Sequence, residues 1–464
     1  MADILIKNGY VITLDKKRRI IKNGALIIKG DKIADVGKTD EITKKYRGEI
    51  EINATGKIVM PGLINCHVHL PDCLKRGVED NRTFFPWLKE RIWPLIAASD
   101  EEMDQTSALL CCLEMIKSGT TCFAEPHVFG DTLRAFDKIA EAVSQTGIRA
   151  ALAKEIVDSP TYAPLITKET ISEEKHEESV KLAINIIKKW HGAKNDSIRI
   201  WFGGKPLGVC APELYLKVGE LAKKYDTGVH LHAAGLEEST SHIKRKYKKT
   251  PIGFALDLGL TGPNVLFAHV IWLTDNDLKL LAQTRTNVCH CPSSNMKFGA
   301  GFAKVPEMLE AGVNVVLGSD GGCCNDCYDM IREMKQAALI HKGRLLSPTA
   351  VTAEQAIEMA TINGARALLW DNKIGSIEKG KRGDIILIDA KKPHMVPHRN
   401  LPSNIVYSAT GGDVDTVIID GNIVMTNRIV KTIDEASVIE KAIELAGEMD
   451  KKAKIAISPR WREF

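Results

Sequence analysis

Short apolar runs alternate with amphipathic, helix-like stretches through the middle of the chain, between about residues 57 and 372. Apolar runs separated by helical segments are typical of parallel strands that are buried on both faces. We count eight such runs: Val59–Asn65, Thr121–Ala124, Arg149–Ala153, Ile198–Gly203, Gly228–Leu231, Asn264–Ala268, Thr286–Cys289 and Val313–Leu317. Eight units of this kind predict a TIM-type (β/α)8 barrel, a fold of the α/β class.

Both ends of the chain show another pattern, in which short strands of alternating polarity are separated by glycine turns. Such strands fill residues 3–36 and return at Ser376–Asp389 and Thr416–Val424. We predict that residues 1–56 and 373–464 combine into one small β-sandwich, with a terminal helix after its last strand. The barrel, residues 57–372, is then inserted between the two parts of the sandwich.

Histidines gather at the carboxyl ends of the predicted strands, which is where TIM barrels carry their chemistry. Five of the eight run ends have them, although the whole chain has only 13. They are His67 and His69, His127, His230 and His232, His269, and His290. His67 and His69 alternate along a strand and therefore point the same way. As an isolated pair they are as readily structural as metal-binding, but the matching strand ends favour a metal site.

Composition narrows the classes of function. Hydrophobic residues make up 44% and charged residues 26% of the chain, which is ordinary for a globular protein. The formal net charge is +4, and the densest basic run, residues 244–249, is typical of a solvated helix end, so we expect no nucleic-acid partner. We also expect a cytoplasmic protein with no membrane segment, because no apolar run reaches about 18 residues and the first residues do not resemble a signal peptide. The 11 scattered cysteines are expected to be reduced thiols.

Several motifs, in a specific order, carry a family resemblance. They are Pro61–His69, Arg91–Pro94, Gly262–His269 with Trp272–Asp275, His290–Lys297, Gly318–Gly321, and Thr361–Leu368 followed by Gly383–Ile385. With these motifs the chain resembles the amidohydrolase superfamily, in the branch of S-adenosylhomocysteine and methylthioadenosine deaminases, guanine deaminases and s-triazine hydrolases. The resemblance covers nearly the whole chain.

The resemblance implies one divalent metal ion per chain, with zinc favoured over iron, held by His67, His69, His232 and Asp320. The ion would lower the pKa of a bound water, giving a hydroxide that attacks an electron-poor ring carbon. Asp320 would also take the proton of the water, and His269 would orient the water or polarise the leaving group. The implied activity is an aminohydrolase, or deaminase, of a nitrogen heterocycle such as a purine, pterin or triazine. Relatives commonly form dimers or larger assemblies, so a homo-oligomer is expected.

Two positions depart from the family pattern. Deaminases of this branch usually carry a glutamate three residues after the strand-five histidine, where it shuttles a proton to the ring nitrogen, whereas this chain has Gly235. Glu125 and Glu155, at the ends of the second and third runs, are candidate replacements. Cys210 stands where many relatives have a substrate-contacting histidine before an Ala-Pro pair. The leaving group and the exact substrate therefore stay open.

Lys205, at the end of the fourth run, leaves a second mechanism open. Binuclear amidohydrolases carry a carbamylated lysine at this place, which would add a second metal ion. Such a site would suit dechlorination or the opening of a cyclic amide, although an ion-paired or substrate-facing lysine is favoured. A third alternative, a catalytically silent scaffold, is disfavoured by the intact set of metal-binding residues.

The substrate side of the site is less sharply defined by the sequence. The candidate substrate contacts are Trp93, Glu125, Lys205, Asn295 and Asn325. The cysteine-rich loop with Cys323, Cys324 and Cys327 could form a second, thiolate metal site, but we expect these side chains to line the pocket.

Overall fold

Eight parallel strands form the central sheet of the computed structural model, which describes residues 3–128, 132–158 and 173–455. In chain order they are β1 (Leu63–Asn65), β2 (Thr120–Val128), β3 (Arg149–Ile156), β4 (Ile198–Gly204), β5 (Val229–Ala233), β6 (Val265–His269), β7 (Asn287–His290) and β8 (Val315–Leu317). Each strand pairs in parallel with the next one in sequence. The predicted barrel class is confirmed.

The two edge strands of this sheet meet just beyond their carboxyl ends. Cys66 N, directly after β1, donates to Leu317 O of β8 at 2.9 Å. One step further, Val68–His69 pairs in parallel with Asp320–Gly321 as a separate two-stranded sheet. Asp320 N donates to His67 O at 2.8 Å in the same place. The barrel is therefore closed by the segments that carry the predicted metal-binding residues.

The first predicted strand, Val59–Asn65, is divided between two sheets. Lys57–Pro61 pairs with strands from the chain ends, and only Leu63–Asn65 enters the barrel. The division falls at Gly62, where an added Cβ would lie 2.0 Å from Thr121 Oγ1. The apolar run is continuous because both halves are buried, so hydrophobicity alone could not reveal the crossing from one sheet to the other.

The two chain ends share one β module, as predicted, and its hydrogen bonds form a single nine-stranded mixed sheet. Its strands are Ile4–Ile12, Ile20–Lys29, Lys32–Lys38, Ile50–Asn53, Lys57–Pro61, Ile385–Asp389, Val414–Ile419, Asn422–Thr426 and Ile429–Val430. The amino-terminal and carboxy-terminal parts join where Lys57–Pro61 runs antiparallel to Ile385–Asp389. The division of the chain at residues 56 and 372 stays a prediction.

Helices surround the barrel and cover its carboxyl end. The longer ones are Thr39–Lys45, Trp93–Ala98, Glu101–Lys117, Leu133–Thr146, Glu173–Trp190, Pro212–Lys224, Glu237–Tyr247, Pro251–Asp257, Asp275–Thr284, Pro292–Lys297, Val305–Glu310, Met330–Leu345, Ala353–Met359, Ile362–Ala367 and Glu435–Ala453. Short helical turns are Leu70–Lys75, Phe84–Trp87, Leu88–Ile92, Ala193–Asp196, Gly322–Asn325, Pro393–Met395, Leu401–Ser403, Asn404–Ser408 and Gly411–Asp413. Among the described residues, none of these helices has the length and apolarity needed to cross a membrane.

A buried arginine joins the amino-terminal end of the barrel to the end sheet. Arg149, the first residue of β3, is 0% exposed. Its guanidinium contacts Asp384 Oδ2 at 3.3 Å and Asp420 Oδ1 at 2.5 Å, and both partners belong to the carboxy-terminal part of the chain. This end of the barrel therefore carries a structural ion pair, while the opposite end is free for chemistry.

Candidate active site

A cavity of about 890 Å³ opens at the carboxyl end of the barrel strands. One part of its wall is aromatic, with Phe84, Trp87, Trp93 and Phe298, and comes from the long segment after β1 and the helix after β7. The other part is polar and includes His69, His232, His269 and Asp320. Its volume is in the range of cavities that hold small organic ligands.

Four histidines and one aspartate converge at the floor of this cavity. Asp320 Oδ1 lies 3.1 Å from His69 Nε2 and 3.6 Å from His67 Nε2, and Asp320 Oδ2 lies 3.9 Å from His269 Nε2. One ring nitrogen from each of His67, His69 and His232 lies within 4.8 Å of the other two. A second group at the same spacing consists of one ring nitrogen each from His67 and His269 and one carboxylate oxygen of Asp320. Imidazole nitrogens and a carboxylate at such spacing are the donor set that zinc and similar divalent ions use in hydrolytic sites.

The hydrogen bonds around His67 and His69 test whether these residues fit a metal ion. His67 Nδ1 lies 3.0 Å from His230 Nε2, while its Nε2 is buried with no hydrogen-bond partner among the described residues. His69 Nδ1 lies 3.4 Å from Glu125 Oε1, and its Nε2 turns toward Asp320. Metal-binding histidines characteristically use one ring nitrogen for the ion and donate from the other to an acceptor. Both residues fit that arrangement.

The charge on Asp320 agrees with a cationic site. Burial alone would raise the pKa of this carboxyl, but the neighbouring imidazoles of His67 and His69 hold its pKa well below the usual range. Ser294 Oγ also donates to Asp320 Oδ2. Burial holds the pKa of the His230 imidazole well below its usual value. This imidazole is therefore neutral and can accept a hydrogen bond from His67.

The backbone places His269 and Asp320 in an unusual conformation. Both have a positive φ, of 70° and 67°, and Val270 follows with 46°. For a β-branched residue this is a strained backbone, which persists only where the surroundings hold it. Here Val270 N donates to Ala233 O at 3.1 Å and Ile271 N donates to Ala234 O at 2.9 Å. The end of β6 is thus fixed against the end of β5, next to Gly235.

The structure separates the five candidate substrate contacts into two groups. Trp93, Lys205 and Asn295 line the cavity. Glu125 does not line it; its carboxylate accepts from Leu70 N at 2.5 Å and lies beside His69. Asn325 does not line it either, because its amide donates to Ser319 O, Cys327 O and Glu333 Oε1, each at 2.9 Å.

The other residues singled out by the sequence are divided between the cavity wall and positions away from it. His290 Nε2 lies 3.2 Å from His341 Nε2, and neither residue lines the cavity. Cys210 is buried and outside the cavity lining. Glu155 and Lys205 both line the cavity, and Lys205 Nζ lies 3.0 Å from Glu155 Oε2. The side chain of His127 lies outside the described residues.

Sequence reasoning missed Glu333, a carboxyl that supports the site from behind. It is buried and accepts from Ser293 Oγ at 2.6 Å and from the Asn325 amide, and so connects the helix carrying Ser294 to the loop after Asp320. Burial raises the pKa of Glu333 to about 8, against these hydrogen bonds. A glutamate on an amphipathic helix gives no sign in the sequence that it faces inward.

Gly235 leaves room on the cavity wall beside His269. An added Cβ would lie 3.3 Å from His269 Cβ and 3.4 Å from its ring carbons Cγ and Cδ2. A side chain at this position would therefore lie against the His269 ring, and glycine leaves that face of the cavity without a carboxylate.

An eight-stranded barrel with four histidines and one aspartate gathered at its carboxyl end is the arrangement of barrel hydrolases. A family model described as the amidohydrolase family matches residues 58–424, and the chain belongs to this family. A 5'-deoxyadenosine deaminase of Methanosarcina acetivorans is 40% identical over 98% of this chain and 100% of its own length. A 5-methylthioadenosine/S-adenosylhomocysteine deaminase of Desulforamulus reducens is 36% identical over 97% of this chain and 100% of its own length.

Solved structures show the same relationship. An adenosine deaminase from Xanthomonas campestris with bound zinc has a TM-score of 0.90 and 28% identity, covering 97% of this chain and 99% of its own. An atrazine chlorohydrolase from Arthrobacter aurescens, complexed with zinc, has a TM-score of 0.88 at 23% identity, which establishes a shared fold; 96% of this chain and 100% of that one are covered. The relatives confirm the prediction of a hydrolase, of the aminohydrolase kind, that acts on carbon–nitrogen bonds other than peptide bonds.

Proposed function

We propose that the chain is a mononuclear aminohydrolase of adenosine-type nucleosides, with His67, His69, His232 and Asp320 holding one divalent ion, zinc before iron. The observation that carries the proposal is the convergence of His67 Nε2 and His69 Nε2 on Asp320, with His67 Nε2 buried and unpartnered among the described residues. An unpaired polar atom inside a protein is costly, and a bound cation removes that cost.

Asp320 accepts the proton of the attacking water, and Ser294 orients the Asp320 carboxylate. A divalent ion at this site supplies Lewis acidity, which brings the pKa of water toward neutrality. Asp320 is one of the proposed ligands and lies beside His67, His69 and His269, so its carboxylate is the group placed to accept the proton that the water loses. The Ser294 hydroxyl, which donates to Asp320 Oδ2, fixes the orientation of that carboxylate.

His269 orients the nucleophile and the group that leaves. Its Nδ1 donates to Asn295 Oδ1 at 2.9 Å, which fixes the ring and leaves Nε2 directed toward Asp320 Oδ2. Asn295 thus acts through His269 as a positioning residue, because that hydrogen bond selects the tautomer.

The aromatic wall favours a planar ring as the substrate. Phe84, Trp87 and Phe298 pack together, with ring centroids 4.8 Å apart for Trp87 and Phe298, and Trp93 completes the wall. Stacking between planar rings suits a purine. The two curated relatives are named for 5'-deoxyadenosine and for methylthioadenosine and S-adenosylhomocysteine, so a nucleoside altered at its 5' carbon is the proposed substrate.

The Glu155–Lys205 pair is the proposed source of the proton that Gly235 cannot supply. Both residues line the cavity, and Leu207 N, two residues after Lys205, donates to His232 O at 2.9 Å. This bond places the segment after β4 directly against the end of β5. Attack at a ring carbon needs a proton or a cation at the neighbouring nitrogen, and the Lys205 ammonium held by Glu155 meets that need.

A substrate screen with a metal assay tests the proposal. Purified chain loaded with zinc or iron is offered adenosine, 5'-deoxyadenosine, methylthioadenosine and S-adenosylhomocysteine, with ammonia release and ions per chain as the readouts. We expect ammonia release from at least one nucleoside with about one catalytic ion. The His269→Asn variant should keep that ion and lose turnover by about 10²-fold or more. Turnover that is indifferent to the metal, or unchanged in His269→Asn, would contradict the proposal.

A second candidate reaction rests on Gly235 itself. A leaving group that departs without protonation, such as chloride on a triazine ring, needs no carboxylate at this position. Ring opening of a cyclic amide through a carbamylated Lys205 is the binuclear variant, but the contact of Lys205 with Glu155 favours a free ammonium. Chloride release without ammonia release, in the same screen, would favour this candidate. The homo-oligomer and the cytoplasmic location stay predictions.

A further inference from the structure

A second group of metal-binding side chains lies beside the cavity, apart from the histidines. This dithiol cluster consists of Asp72, Cys323 and Cys324, which are all buried. Asp72 belongs to the turn after β1, and the two cysteines belong to the short helix Gly322–Asn325 that follows Asp320. Asp72 and Cys324 also line the cavity.

The spacing of the two sulfurs matches that of two thiolate ligands on one tetrahedral zinc ion. Cys323 Sγ and Cys324 Sγ are 3.9 Å apart, and one oxygen of Asp72 lies with both sulfurs inside a span of 4.8 Å. With zinc–sulfur bonds of about 2.3 Å and tetrahedral angles, two thiolates on one ion are roughly 3.8 Å apart. The two sulfurs therefore stand at the separation of ligands, well beyond that of a disulfide.

Two glycines bring the parts of the cluster together. An added Cβ at Gly321 would lie 2.6 Å from Asp72 Oδ2, and one at Gly322 would lie 2.6 Å from Asp72 O. Any side chain at either position would push the turn with Asp72 away from the cysteines. The close approach is thus a built feature of this loop.

A buried lysine balances the charge of the cluster. Lys75 is 1% exposed, and its Nζ contacts Asp72 Oδ1 at 2.9 Å and Pro71 O at 3.0 Å. Without an ion, two neutral thiols and the Lys75–Asp72 pair carry no net charge. A divalent ion with two thiolates and Asp72 carries one negative charge, which the ammonium cancels. Both states avoid an isolated charge inside the protein.

We propose that Asp72, Cys323 and Cys324 form a second cation site, selective for soft divalent ions such as zinc, cadmium or cobalt, on the wall of the catalytic cavity. Cys323 and Cys324 pack against Trp87, Leu88 and Ile92, so an ion here would also hold the aromatic wall to the loop after Asp320. Thiolate ligands select such ions over magnesium or calcium.

Cobalt titration of metal-free chain tests this proposal without any use of activity. Cobalt bound to thiolates has an intense sulfur-to-metal charge-transfer band, which histidine and carboxylate ligands do not produce. We expect two cobalt ions per chain, one of which develops this band. Cys324→Ser should lose the band and one ion. Asp72→Asn should weaken binding of that ion by about 10-fold or more, at least as much as the loss of a group that supports a ligand costs.

Cys327→Ser is the matched control, because Cys327 lies in the same loop but outside the dithiol cluster, and we expect it to keep both ions and the band. If Cys324→Ser fails to fold, zinc-edge X-ray absorption on the wild-type chain decides, with sulfur expected at about 2.3 Å. A wild-type chain with one ion and no sulfur ligand overturns the proposal, as does a band that persists in Cys324→Ser. A loss of nucleoside turnover in the screen above would leave these readouts untouched, so the two proposals fail separately.

Discussion

The two sides of the catalytic cavity are built to different degrees. The histidine side (His67, His69 and Asp320) is buried, and each residue contacts another or a supporting acceptor. The glycine side (Gly235, Glu155 and Lys205) has no side chain next to His269, and its one ion pair comes from residues at the ends of other strands. The side chains proposed to generate the nucleophile thus support one another, while the glycine side has no carboxylate at the strand-five position. Variants on the glycine side are therefore expected to be the more informative about the substrate.

The largest effect is expected on the histidine side. Asp320→Asn removes the proposed proton acceptor and one proposed ligand, so kcat should fall by about 10³-fold. Steady-state ammonia release measures it, with ions per chain measured in parallel. Asp326→Asn, a carboxylate in the same loop that is not part of the site, serves as the control. Near-normal turnover in Asp320→Asn would show that the proton leaves by another group.

Next comes the proposed proton donor of the glycine side. Glu155→Gln removes the carboxylate that holds the Lys205 ammonium, and kcat should fall by about 10²-fold with unchanged metal content. Glu178→Gln is the matched control, since Glu178 is an exposed carboxylate on the same cavity wall. If both variants turn over equally, the pair has no role in the proton transfer.

A supporting residue of the histidine side should show a smaller effect. His230→Ala removes the acceptor 3.0 Å from His67 Nδ1, so the affinity for the catalytic ion should fall about 10- to 100-fold. Competition with a chelator of known affinity measures this loss, and added metal should restore kcat. A loss of kcat that saturating metal does not restore would place His230 in the chemistry instead.

The smallest effect is expected when a carboxylate is placed at position 235, on the glycine side. Gly235→Glu in the Glu155→Gln background should recover about 10-fold of the lost kcat, because it returns an acid to the strand-five position. The gain is limited because the new Cβ lies 3.3 Å from the His269 side chain, which must shift. Gly235→Gln has the same shape without the acid and should recover nothing. Equal rates in the two variants would contradict a proton-transfer role for this position.

The sequence predicted the barrel and the positions of its reactive ends because both are local. Apolar runs mark strands, and histidines at their ends mark the face where strands of a barrel meet. It could not place Glu125 or Asn325, because their partners are Leu70 N and Ser319 O, backbone groups that leave no trace in residue types. It missed the crossing at Gly62 for a related reason, since both sheets bury the same apolar run.

The cysteine-rich loop is a second case in which the sequence did not reveal a contact between distant residues. The sequence put Cys323, Cys324 and Cys327 forward together as the alternative thiolate site, whereas the cluster in the structure joins the adjacent Cys323 and Cys324 to Asp72. The third member comes from a distant part of the chain and reaches the sulfurs only because Gly321 and Gly322 have no side chains. A contact of this kind depends on two loops meeting, which a linear pattern does not encode.

The closure of the barrel gives the proposed catalytic ion a second role, in stability. Val68–His69 and Asp320–Gly321 are the strands that join the first and last units of the barrel, and they also carry proposed ligands. An ion held by His69 and Asp320 would act as a crosslink between segments that are far apart in the sequence. Such a crosslink stabilises a fold by binding only its native arrangement. Removal of the ion by a chelator would then weaken the pairing of these two strands as well as stop the reaction. Faster hydrogen exchange of the Asp320 amide, which donates to His67 O, would report the weakened pairing.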